Sequence, residues 1–125
     1  MIKNMDNIQD LCKKILIGEV SFSNVVRSER EKNIFCRNTN NFKLELSPQD
    51  VINFLQLYIS NKKIEAEVKD WALFLLMTDA FSTPNIETDY FDSLWDIINE
   101  LSCPEVDGKL TKERALNYIS ELKKL

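Results

Sequence analysis

Nine carboxylates and not one lysine or arginine lie between residues 70 and 108: Asp70, Asp79, Glu87, Asp89, Asp92, Asp96, Glu100, Glu105 and Asp107. Carboxylates at that density can hold a hard cation, act as general acid and base, or meet a basic partner. Asp89 and Asp92 are spaced to hold magnesium, but no lysine, glycine loop or partner motif for catalysis stands near them. Asp107-Gly108-Lys109-Leu110-Thr111 resembles the middle of a calcium loop. Its register puts Cys103 at the first ligand position and Arg114 where a bidentate glutamate belongs, so calcium is not its ligand. A turn entering a capped helix accounts for these residues. The chain has no histidine. His-ligated zinc, Ser–His–Asp and Cys–His arrangements and a histidine base are therefore excluded. The residues imply no cofactor and no metal, and the expectation is a protein that is not an enzyme.

The remaining chemistry is electrostatic. At about 100° per residue, Asp89, Asp92, Asp96 and Glu100 fall within an arc of roughly 80° on one helix face. Phe91, Leu94, Trp95, Ile98 and Leu101 take the opposite face. Asp92/Asp96 and Asp96/Glu100 are like-charge pairs four apart, each costing roughly 0.2–0.5 kcal/mol. A face shaped only for stability would interleave lysines, although many charge runs are simply solvated faces. Residues 46–108 carry net −9, against +2 before them and +3 after. Such a block repels phosphates, so direct nucleic-acid binding is not expected. It suits a docking surface for a basic partner, with Asp79, Glu87, Asp89, Tyr90, Asp92, Asp96, Glu100, Glu105 and Asp107 as the contact set. Tyr58, Tyr90 and Tyr118 are the exposed aromatics expected, and Tyr90, flanking the stripe, is the best anchor among them.

Those residues need a scaffold, and the pattern supplies helices. The chain has 125 residues, two glycines and three prolines, too few turn-formers for a many-stranded sandwich. Ile8, Leu11, Cys12, Ile15 and Leu16 recur at helical spacing, and Gly18 ends that helix. Phe22, Val25 and Val26 mark a weaker second one. Asn38 to Asn41 is turn material, and Phe42, Leu44 and Leu46 alternate with charges, so residues 34–46 read as extended or as a hairpin of Ile34–Cys36 with Phe42–Leu46. Ser47-Pro48-Gln49-Asp50 starts a helix carrying Val51, Ile52, Leu55 and Ile59. From about Glu65 a helix apolar nearly all round, with Val68, Trp71, Ala72 and Leu75, belongs at the bundle centre. Another runs from Thr88 to Ser102, stopped by Cys103-Pro104, and Thr111 caps a last one bearing Ala115, Leu116, Ile119 and Leu122. The expected fold is all-α, one domain over 1–125, with five to six helices.

Cys12, Cys36 and Cys103 have no C-x-x-C spacing and read as free thiols in a reducing compartment. The amino terminus shows no signal-peptide pattern, and the longest apolar run, Trp71 to Met77, is too short to cross a membrane. The cytoplasm is the expected location, with no membrane association.

From Ser47 onward the chain resembles small helical bacterial immunity proteins of the colicin-D-immunity-like kind, including partners of contact-dependent growth inhibition toxins. The likeness is carried by the capped helix Val51 to Ile59, Tyr58-Ile59-Ser60-Asn61-Lys62-Lys63-Ile64, Val68-Lys69-Asp70-Trp71-Ala72, Leu75-Leu76-Met77-Thr78-Asp79, Leu94-Trp95-Asp96 with Leu101, and Asp107-Gly108-Lys109-Leu110. It implies an inhibitor that binds the nuclease domain of a cognate toxin, often an RNase, and covers its cationic cleft with acidic side chains. Such families share no fixed functional residues, so the resemblance assigns none here. Two other readings stand beside it. One is a helical adaptor taking a partner helix in an apolar groove at Phe81, Tyr90 or Phe91; the other is a metal-dependent hydrolase using the acidic block.

Overall fold

The computed structural model describes residues 5–25, 28, 30, 31, 35, 44–78, 81, 82 and 88–124. Among them are seven helices: α1 (Met5–Leu16), α2 (Phe22–Val25), α3 (Pro48–Ile59), α4 (Glu65–Met77), α5 (Thr88–Ser102), α6 (Pro104–Asp107) and α7 (Lys112–Lys123). Five are the expected long helices. The sixth, α6, is a single turn where the sequence suggested only a break. Val26 and Cys36 lie outside the described residues.

Helix ends follow their local chemistry. Gly18, at φ 82°, closes α1: its N–H bonds to Ile15 O at 3.1 Å and the Glu19 N–H to Lys14 O at 2.9 Å. Asn61 does the same for α3 at φ 67°, with the Lys62 N–H on Leu57 O at 2.8 Å. The left-handed residue lets the last carbonyls find donors. At the start of α3 the Asp50 carboxylate accepts from the Ser47 N–H at 2.9 Å. Thr111 Oγ1 accepts from the Arg114 N–H at 3.1 Å and caps α7.

The buried residues form one cluster that draws on every long helix. Helix α4 runs through it, packing against α2, α3 and α5, with Val68, Trp71, Ala72, Phe74 and Leu75 buried. Trp71 stacks on Phe54 at 4.3 Å, and its indole N–H donates to Leu16 O at 3.0 Å, tying α4 to the end of α1. Phe74 is ringed by Phe22, Phe35 and Phe81 at 5.1, 6.4 and 5.5 Å. Helix α7 covers α3, and α5 covers the other flank of α4. No helix is long and apolar enough to cross a membrane among the described residues.

The hairpin reading is corrected in part. Leu44–Glu45 (β1) is extended, but it pairs in parallel with Phe81–Ser82 (β2), Leu44 opposite Phe81. Phe35 is helical and buried against Phe22 at 6.1 Å, so it is not the arm of a hairpin. Ile34 and residues 36–43 lie outside the described residues. Alternation reports that a segment is extended; which strand it meets depends on what the aromatic cluster brings close.

Candidate functional site

Helix α5 presents the acidic face. Leu94, Ile97, Ile98 and Leu101 are buried on its inner side and Trp95 is half-buried, which fixes the rotation of the helix. Ile97 was not among the residues expected inward. Asp92 and Asp96 therefore stand exposed, one turn apart, and among the described residues no cation lies within ion-pair distance of either. Asp79 and Glu87 lie outside the described residues. Asp89, Tyr90 and Phe91 fall in α5 and Asp107 in α6, but their side chains lie outside the described set too.

Glu100 of the expected stripe, and Glu105 beyond it, are met from within the chain. Glu100 is half-buried and accepts from the Tyr118 hydroxyl at 2.8 Å; Arg114 Nη2 stands 3.7 Å away. Arg114 also donates to the Tyr118 hydroxyl at 2.6 Å and through Nη1 to the carbonyls of Gly108 and Lys109 at 2.6 and 3.0 Å. One guanidinium thus ties α7 to α5 and to the loop between them. Burial pushes the Tyr118 hydroxyl up to about 12, and the acceptor carboxylate of Glu100 adds to it. Glu105 is bonded to Lys69 of α4. That bond holds the Glu105 carboxyl below the usual range and raises the Lys69 ammonium. Among the described carboxylates of this block, Asp92 and Asp96 are exposed with no ion-pair partner, away from the carboxyl end of α5.

Two of the three tyrosines are not the exposed anchors expected. Tyr118 is buried, and Tyr58 is half-buried with its hydroxyl donating to Leu110 O at 3.0 Å. Burial and the nearby Glu65 carboxylate raise the Tyr58 hydroxyl. Glu65 itself accepts from the Leu110 N–H at 2.6 Å, so both polar groups of that backbone position are held by side chains of α3 and α4. Phe81, which the adaptor reading needs on the surface, is buried against Phe74.

Sequence reasoning did not find Arg114 and Lys69 as the groups that answer Glu100 and Glu105. Arg114 and Tyr118 are four apart on one helix, a spacing that brings side chains together. Nothing local signals Lys69 and Glu105, which are 36 residues apart. Neither Cys12, which is buried, nor Cys103, which is exposed, forms a disulfide among the described residues. Comparison with known proteins yields no match for this chain among family models, curated proteins or solved structures.

Proposed function

We propose that this chain is a cytoplasmic immunity protein that binds a basic toxin domain, a nuclease, and neutralises it through the exposed face of α5. The observation that carries this reading is the pair Asp92 and Asp96, exposed one turn apart on a helix whose opposite face is locked in the core. Two unanswered carboxylates on a rigid element set up a directed negative field, which speeds encounter with a cationic surface and is weakened by salt. The resemblance of residues from Ser47 onward to helical immunity proteins supplies the kind of partner. Inhibition then consists of covering a phosphate-binding cleft with carboxylates, so the chain itself needs no catalytic group.

The test is retrieval of a partner from the native organism by the tagged chain at low and high salt, with a doubly substituted control. The reading expects a basic, growth-inhibitory chain that is held at low salt and released at high salt. Asp92→Lys with Asp96→Lys should abolish both retention and protection while far-UV circular dichroism stays unchanged. A folded double variant that still binds and protects like the parent removes α5 as the contact.

A further inference from the structure

Away from α5, the end of α1 and one side of α3 enclose an open groove of about 170 Å³, lined by Leu16, Ile17, Asp50, Asn53 and Leu57. We infer that this groove receives an arginine side chain from a partner protein. Its walls are apolar at Leu16, Ile17 and Leu57 and polar at Asp50 and Asn53. Ile17 is 62% exposed at the rim, directly before the left-handed turn at Gly18.

The charge complement is a cation. Both bonds from Ser47 fall on Asp50 Oδ2, at 2.9 and 3.1 Å, so Oδ1 has no partner among the described residues. Among the described residues Asp50 has no ion-pair partner: Lys14 is paired with Asp10 at 3.3 Å and Lys63, whose stem lies beside the Gly18 turn, with Glu67 at 3.5 Å. An arginine suits the groove better than a lysine. Its stem can lie along Ile17 and Leu57, and its planar, weakly hydrated guanidinium can donate to Asp50 Oδ1 and to Asn53 Oδ1, which already accepts from Gln49 Nε2 at 2.8 Å and keeps a second lone pair.

Titration of the full chain with N-acetyl-arginine amide, followed by NMR, tests this directly. The Ile17 and Leu57 methyls and the Asn53 side-chain amide should shift together. The lysine and norleucine amides should bind at least threefold more weakly. Asp50→Asn, which keeps an oxygen for the Ser47 N–H, should weaken binding about tenfold, and Ile17→Ser, on an exposed position, about threefold. Asp92→Lys with Asp96→Lys should leave this titration unchanged, which separates the groove from the α5 surface. Shifts absent from the groove, an equal response to norleucine amide, or a folded Asp50→Asn variant that binds like the parent overturns the inference.

Discussion

The Tyr118 hydroxyl donates to Glu100 Oε1 at 2.8 Å while accepting from Arg114 at 2.6 Å, joining α7 to α5 through one oxygen. This contact converts a residue of the acidic stripe into part of the scaffold. Removing the hydroxyl leaves a half-buried carboxylate with a more distant arginine as its nearest donor. Tyr118→Phe should lower unfolding free energy by about 1–2 kcal/mol, read from urea denaturation at neutral pH.

The same hydroxyl sets an alkaline limit. Its ordinary value is 10 and the fold raises it to about 12, so the folded state favours the protonated form. The stabilisation is complete below pH 10 and is lost as the pH rises from 10 through about 12. The melting temperature should therefore fall more steeply over that interval in the parent than in Tyr118→Phe. Parallel thermal scans check it, since lysine titration is common to both proteins.

Lys69 and Glu105 are the second internal answer to the acidic block, and both are exposed enough for solvent and salt to weaken them. The Glu105 carboxyl, held low by Lys69, should return toward the ordinary carboxylate range in Lys69→Gln, seen by carboxyl-carbon NMR titration. A depressed carboxyl stabilises the fold above its unfolded pKa and ceases to do so as the pH falls through the folded one. The parent should thus lose slightly more stability than Lys69→Gln on acidification, and high salt should erase the difference.

Gly18 and Asn61 occupy the same left-handed position at the ends of α1 and α3, and they respond oppositely to substitution. Asn61→Gly relieves a conformation that side chains disfavour and should stabilise by roughly 0.5–1 kcal/mol. Gly18→Ala adds a carbon 2.8 Å from Leu57 Cδ1 at φ 82° and should destabilise by roughly 1–3 kcal/mol. Chemical denaturation of the two variants beside the parent reads both.

Thr111→Ala should cost about 1 kcal/mol, because the Arg114 N–H at the start of α7 loses its acceptor. Thr111→Ser should recover most of it. Amide exchange at Arg114 should rise in the alanine variant and stay near the parent's in the serine variant.

By itself the sequence determined the elements that arise within a few residues. The period of Leu94, Ile98 and Leu101 set the inner face of α5, the Ser47–Asp50 and Thr111 boundaries set two helix starts, and Gly18 set a helix end. Each depends on spacing or on a backbone preference that needs no distant partner. Apolar density alone placed the Trp71 helix at the centre. Pairing was decided only in three dimensions. Leu44 meets Phe81 across 37 residues, and Glu105 meets Lys69 across 36. The acidic block is continuous along the chain, but in space, among its described carboxylates, Glu100 is met by Tyr118 and Arg114 and Glu105 by Lys69, while Asp92 and Asp96 stand exposed. Spacing along one helix predicts which face a side chain takes; what waits on that face depends on how the other helices pack, and only the folded arrangement supplies it.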